Sequence, residues 1–262
     1  MARDPVSLPA RRRAKVLEII GKNGSVTVPD LARQFGVSLD TIRRDLDQLA
    51  ATGELVRAHG GAMRVQEKVR LQPFSEREHA RPTEKAAIAR ACAALIGDGD
   101  TVIVNGGTTT LLVIDALRNH PHTVLITSSI AALNLPDIDR FASIHVLGGT
   151  FLPSTRVNVG PILLPNAERM NIDTAIIGVK AVSSEKGIST SNLDEAEMIA
   201  EMMALARRTI VVADSAKLEG RAFAIVAPLE RVDILVTDRA PPATLQAALD
   251  RAGVTVVVAP AD

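Results

Sequence analysis

Apolar positions in residues 10–56 recur with the spacing of amphipathic helices. Val16, Leu17, Ile19 and Ile20 make an apolar stripe on a first helix, which Asn23-Gly24 stops. Thr27 is positioned to cap a second, short helix with Pro29 in its first turn. Leu31, Ala32 and Phe35 face inward there, and Gly36 ends it. Ser38 caps a third helix, predicted to run to about Ala51 and to be stopped by Gly53. On that helix Ile42, Leu46 and Leu49, spaced by four and three, form a buried stripe, whereas Thr41, Arg44 and Gln48 form a separate polar face. In Leu55–Met63 (LVRAHGGAM), Leu55 and Val56 read as a strand and Gly60-Gly61 permits a tight hairpin tip.

The pattern then changes twice. From about Met63 to Thr83 the chain is polar and charged, with Pro73 and Pro82, and reads as a linker. A helix is predicted over Glu84–Ile96, with Ile88, Ala89, Cys92 and Leu95 on one side. Short β-branched runs follow, most of them ending in a polar or glycine-rich turn and then a helix. They are Thr101–Val104, Val124–Thr127, Ile144–Leu147, Ala175–Ile177, Ile210–Val212, Ile234–Thr237 and Val254–Val258. Buried parallel strands have this character, and helices make the crossovers between them. The expected fold is α/β: an N-terminal winged helix-turn-helix domain (1–63), a linker (64–82), and a larger α/β domain with a mostly parallel sheet (83–262).

Composition narrows the functions. Apolar residues make up 47% of the 262, enough for a sizeable core. Five Phe with no Trp or Tyr weaken any reading that needs base stacking or an aromatic sugar platform. The formal net charge is zero, but residues 1–65 carry eleven Lys or Arg against seven acids, a mildly basic head on an acidic body. One cysteine, Cys92, excludes a disulfide framework within the chain, and the five histidines show no metal-ligand spacing. There is no long apolar run, and Met1 to Pro9 lacks the apolar core of a signal peptide, so a cytoplasmic location without membrane contact is expected.

A short helix, a turn through Gly36 and a second helix from Ser38 make a helix-turn-helix, whose second helix enters the major groove by its N-terminal residues. Ser38, Asp40, Thr41, Arg43, Arg44 and Gln48 are the candidate contacts, with Arg57 and His59 of the wing beside the DNA backbone. Arginine gives bidentate bonds to guanine; Ser and Thr reach base edges or phosphates. Asp40 is better suited to stabilising the helix end, and Arg43 has Asp47 four residues on as an ion-pair partner.

In the larger domain, Asn105-Gly106-Gly107-Thr108-Thr109-Thr110 follows the first strand and opens a helix. Two glycines, successive N–H groups, three hydroxyls and a helix N-terminus suit a phosphate. Neither the Walker pattern nor GxGxxG is present, and no acid ends the second strand, which disfavours dinucleotide binding. Ser128-Ser129 and Gly148-Gly149 end the next two strands, Lys180 follows the fourth, and Asp214 with Lys217 follows the fifth. Ligands of open α/β sheets gather at such carboxyl ends, so these turns are expected to surround one pocket. The lysines would neutralise a phosphate and Asp214 would accept bonds from sugar hydroxyls.

The string VSLDTIRRDLDQLAATGELVRAHGGA resembles the signature of DeoR-type repressors, and the resemblance extends over nearly the whole chain. It implies a winged helix-turn-helix operator binder that controls sugar or related catabolic genes. It also implies a C-terminal domain similar in fold to phosphopentose isomerases that binds a phosphorylated sugar or related metabolite. The family pattern carries over onto Gly106–Thr110, Gly148, Gly149, Gly160, Asp214 and Lys217. The chain departs from it at Asn105-Gly106, at Thr127-Ser128-Ser129 and at Ile199-Ala200, where an acid, a Thr-Asn-Ser string and a basic pair are usual.

The expectation is therefore a ligand-controlled repressor, dimeric or tetrameric, that binds double-stranded operator DNA and a small phosphorylated metabolite, with no catalytic residue, metal or cofactor. Two alternatives fit the same residues. One is a phosphosugar isomerase-like enzyme with a DNA-binding appendage, for which Glu185, Asp194, Glu195 and Asp214 are the available bases. The other is an architectural DNA binder with a vestigial pocket.

Overall fold

The computed structural model describes residues 9–23, 25–52, 54–58, 61–64, 73–162 and 170–260. The chain divides into two compact units, residues 1–70 and 71–262.

In the first unit, α1 (Pro9–Asn23) leads into β1 (Ser25–Thr27), α2 (Val28–Phe35), α3 (Leu39–Ala51), β2 (Leu55–Ala58) and β3 (Gly61–Arg64). Thr27 accepts the Asp30 N–H at the start of α2, and Gly36 adopts the left-handed conformation at its end. Val16, Ile20, Leu31, Ile42, Leu46, Leu49 and Leu55 close one small core. β2 and β3 form the expected antiparallel hairpin. The sequence did not reveal β1, which pairs with β3 from Ser25↔Met63 to Thr27↔Gly61. Gly61 has to be a glycine there, because a Cβ would stand 2.1 Å from the carbonyl oxygen of Val26.

The second unit begins earlier than expected. Residues 73–82, read from sequence as linker, form α4 (Phe74–His79) and the start of α5 (Pro82–Ala93). A short polar helix has no apolar period to betray it. Phe74 anchors it by burying its ring, and its N–H reaches the Ser154 carbonyl at 2.9 Å.

The remaining elements are β4 (Thr101–Val104), α6 (Thr108–Leu117), β5 (Val124–Thr127), β6 (Ser143–Val146), β7 (Thr150–Leu152), β8 (Val157–Val159), β9 (Ile172–Gly178), β10 (Ala181–Ser183) and β11 (Gly187–Thr190). Then come α7 (Leu193–Leu205), β12 (Ala206–Val212), β13 (Ala224–Ala227), β14 (Ile234–Thr237), α8 (Ala243–Ala252) and β15 (Thr255–Val258). The seven strands anticipated from sequence join one parallel sheet in the order β15-β14-β12-β9-β4-β5-β6. The β10-β11-β13 sheet and the β7–β8 hairpin are antiparallel additions.

Alternate residues of each strand enter opposite layers. Val102, Val104, Ile176, Ile210 and Val212 pack with Ile88 and Cys92 of α5 and Ile114 and Leu117 of α6. Ile103, Ala175, Ile177 and Val211 pack with Ile199 and Met202 of α7 and Leu245 and Leu249 of α8. Burial of both faces is why the strands read as unbroken apolar runs. The strand order reverses between β4 and β9, the point at which the carboxyl ends of an open α/β sheet leave a crevice. Among the described residues no helix is long and apolar enough to cross a membrane.

Candidate functional site

Two surfaces carry the chemistry, one in each unit. On α3, Ser38 Oγ accepts the Thr41 N–H at 3.2 Å and lies 2.9 Å from Thr41 Oγ1, closing the cap. Asp40, Arg43, Arg44 and Gln48 are exposed and Thr41 is half-buried. Arg43 pairs with Asp40 at 3.0 Å, three residues before it, rather than with Asp47 as the spacing had implied. Arg44 makes no ion pair among the described residues. Gln48 accepts a hydrogen bond from Arg13 of α1, so this amide is partly committed within the unit. His59 and the side chain of Arg57 lie outside the described residues.

One of this unit's cations and one of its acids are withdrawn from the surface together, which leaves the net excess of positive charge as the sequence count has it. Arg12 is buried and bonds Asp45 of α3 at 2.5 Å, with side chains 6% and 7% exposed. This pair fixes α1 against α3, and neither charge faces solvent.

In the second unit a cavity of about 290 Å³ opens at the carboxyl ends of β4, β9 and β12. Gly106, Gly107 and Thr108–Thr110 form one wall at the N-terminus of α6. The first N–H groups of a helix have no partner within it. Thr109, 2% exposed, adds a buried Oγ1 without a hydrogen-bond partner among the described residues. Lys180, Asp214 and Lys217 face the same space. Gly106 permits a close approach: a Cβ there would fall 1.8 Å from Val157 Cγ1, so the residue lets the β7–β8 hairpin lie on the loop.

Five of the expected ligand contacts do not line this cavity. Asn105 is buried and clamps the two strands at the switch point: its Nδ2 donates to the Gly178 carbonyl at 2.9 Å and its Oδ1 accepts the Gly178 N–H at 2.7 Å. An amide can do both; a carboxylate, the usual residue in the family pattern, can only accept. Ser128 braces the loop by accepting the Gly106 N–H at 3.1 Å, and Ser129 is buried in a bridge to Val157. Gly148 and Gly149 stand exposed on the edge strand's exit, where the chain enters β7 rather than a helix. Gly149, at φ +121°, serves that hairpin: a Cβ would meet the Val159 carbonyl oxygen at 2.4 Å. β6 lies two strands beyond β4, too far from the switch point for its turn to reach the crevice.

Sequence reasoning missed the opposite wall as ligand contacts, having named only Glu195, and that as a base for the enzyme alternative. Arg77 of α4, Arg81, Lys85 of α5, Thr190 and Glu195 of α7 complete the lining. Two of them carried a signal: Lys85 precedes Ile88, Ala89 and Cys92, and Glu195 precedes Met198, Ile199 and Met202, each at helical spacing on the buried face. A charged side chain in register with an apolar stripe marks a polar site inside. The Ile199-Ala200 departure from the family pattern is unrelated to the cavity wall, since Ile199 packs in the core.

The cavity is rich in positive charge. Arg81 bonds Asp214 at 3.4 Å, Asp238 at 3.2 Å and Ser215 Oγ at 3.0 Å. Lys217 lies 3.7 Å from Asp214, and Lys85 donates to the Arg77 carbonyl. Burial, and then the neighbouring cations Arg77 and Lys217, push the Lys180 amine down to about 8. Burial likewise lowers Lys217 and Lys85, with Arg77 and Lys217 respectively as the foremost neighbouring cations that add to it. Burial raises the Glu195 carboxyl, opposed by the Thr190 hydroxyl that donates to it at 2.5 Å and by Arg77 and Lys180. An anion entering this space would relieve the mutual repulsion of the amines.

Residues 80–239 match the model of the DeoR C terminal sensor domain, and residues 12–68 that of the DeoR-like helix-turn-helix domain. The HTH-type transcriptional regulator GlpR of Haloferax volcanii is 34% identical over 95% of this chain and 98% of its own length. The HTH-type transcriptional repressor CsqR of Escherichia coli is 32% identical over 94% of each chain. Among solved structures, ribose 5-phosphate isomerase A from Methanocaldococcus jannaschii resembles 51% of this chain and 53% of its own, at 18% identity and a TM-score of 0.38. A DNA-reading head, a sensor domain and full-length kinship with transcriptional regulators together make this chain a member of the DeoR family of helix-turn-helix transcriptional regulators.

Proposed function

We propose that this regulator is a cytoplasmic repressor whose grip on operator DNA is governed by a small phosphorylated sugar or related metabolite bound in the sensor cavity. The observation that carries the reading is the pairing of a helix N-terminus, with the unpartnered Thr109 hydroxyl, and the crowded amines of Lys85, Lys180 and Lys217. A phosphate answers both needs: it accepts the free N–H and O–H groups and offsets the cationic excess. In this reading Gly106, Gly107, Thr108, Thr109, Thr110, Lys180 and Lys217 hold the phosphate, and Asp214 orients hydroxyls. Asn105, Ser128 and Ser129 shape the loop from behind, and Gly148 and Gly149 have no part in binding.

The head reads DNA through the exposed side of α3, with Ser38, Asp40, Thr41, Arg43 and Arg44 at the groove, and acts as a dimer or tetramer on paired half-sites. The ligand acts by binding unequally to two arrangements of the assembly. Arg77 gives this a physical route, because α4 is the first described helix after the segment that joins the units.

The cavity is assigned to binding rather than catalysis. In this reading Asp214, held by Arg81, Lys217 and the Ala216 N–H, and Glu195, held by Thr190, shape the cavity and orient the ligand. A thermal-shift series against sugar phosphates, paired with retardation of the chain's own promoter fragment, tests the proposal. One sugar phosphate should both raise the melting temperature and change the DNA affinity. Stabilisation by none, with intact DNA binding, would leave an architectural binder with a vestigial pocket. Turnover of a pentose phosphate that is lost in Glu195→Gln would make the cavity an active site.

A further inference from the structure

The first turn of α3 satisfies most of its polar groups locally. Ser38 and Thr41 are committed to the cap, and Asp40 holds Arg43 at 3.0 Å. Two side chains are left projecting from this tip, Arg44 and Leu39, the latter 45% exposed. One exposed leucine on a protein surface is ordinary. Its position is what matters here. Among the described residues of the head, Leu39 is the single large apolar side chain that stays exposed, while Leu17, Ile19, Val26, Phe35 and Val37 all pack against the core.

Leu39 is the first residue of α3, whose N-terminal end enters the major groove in the reading proposed above. Helix formation does not call for leucine at that position, where the helix dipole favours an acid. An isobutyl group has nothing to offer a phosphate. Among the groups displayed in the major groove, its chemical complement is the thymine 5-methyl. We infer that Leu39 reads sequence by packing against the methyl group of a thymine, so each half-site contains one T·A pair recognised by apolar contact. The inference rests on the operator-binding reading of α3 and names part of its specificity.

Deoxyuridine provides the test, because it lacks the methyl group and keeps every hydrogen-bonding atom of thymine. The full-length protein first selects duplexes from a random-sequence library, and each thymine of the selected site is then replaced singly. One position per half-site should weaken binding about fourfold, the value of one buried methyl group. The same replacement should have no effect on Leu39→Ala, whose thermal unfolding stays that of the wild type. Leu39→Met, which keeps an apolar chain at the position, should retain thymine sensitivity. Binding insensitive to every replacement, or equally sensitive in Leu39→Ala, overturns the inference and leaves operator binding standing. A selection that enriches no sequence overturns both.

Discussion

On α3, the residues that face outward are neighbours in sequence, from Ser38 to Gln48, and their interactions are mostly local: Ser38 with Thr41, Asp40 with Arg43. In the sensor unit, the groups around the cavity come from seven separated segments, from Arg77 to Lys217, and none of the three lysines gains more than partial compensation from carboxylates. The exposed surface leaves its charges solvated and screened, ready to meet a polyanion. The cavity removes its amines from water and makes them depend on one another. An anion is therefore worth more to the cavity, and its binding is coupled to protons and to the fold, whereas an exposed α3 side chain outside the cap, such as Arg44, can be altered with little effect on the protein that carries it.

The sharpest way to break this contrast is at the head's own buried charge pair. Arg12→Ala leaves Asp45 buried without its countercharge and should cost about 3–5 kcal/mol, read as early unfolding of the head by hydrogen exchange in the full chain. A loss below about 1 kcal/mol would mean that the pair is effectively solvated, like the rest of the head's charges.

Lys217→Met removes one charged donor from the cavity. Ligand binding should weaken by about 1.5–3 kcal/mol in calorimetry, with DNA affinity of the ligand-free protein unchanged. Arg44→Ala is the counterpart on α3. It should weaken operator binding by about 1–3 kcal/mol if the guanidinium reads a base, without altering ligand affinity. Equal losses on operator and random DNA would make it a phosphate contact instead.

Proton linkage separates the two surfaces further. The Lys180 amine sits at about 8 in the free protein, and a bound phosphate raises it. Below that pH the amine is already charged and affinity is level down to about pH 6, where the phosphate monoester takes up its own proton. Above it, binding must take up a proton, so sugar-phosphate affinity should fall as pH rises through about 8, approaching about tenfold per unit. Calorimetry in buffers of different ionisation enthalpy reads the proton uptake directly, and Lys180→Met should abolish the step. The smallest expected effect is Ser38→Ala, which deletes the bond to the Thr41 N–H and should lower head stability by about 1 kcal/mol in thermal unfolding.

Much of the fold is legible in the chain. Caps at Thr27 and Ser38, the left-handed turn at Gly36 and the seven apolar runs of the sheet are local or strictly periodic features, and each stands where its pattern indicated. Segment 73–82 misled because α4 is held by one buried ring, Phe74, and not by an amphipathic repeat. Half of the cavity was legible for the same reason as the strands: the turn Gly106–Thr110, Lys180 and Lys217 follow strand ends directly. The turn at Gly148-Gly149 resembled a ligand loop in composition but closes a hairpin at the sheet's edge.

The amino-acid sequence by itself determined two domains, the helix-turn-helix and its capped third helix, the parallel sheet, and the family, because these depend on periodicity, capping and turn chemistry within a few residues. Tertiary structure alone decided which charges share a space. Arg77, Lys85 and Glu195 reach the cavity, and Arg12 leaves the surface for Asp45, through packing between segments far apart in the chain, where low dielectric and mutual distance set the energy of a charge and no local pattern records it.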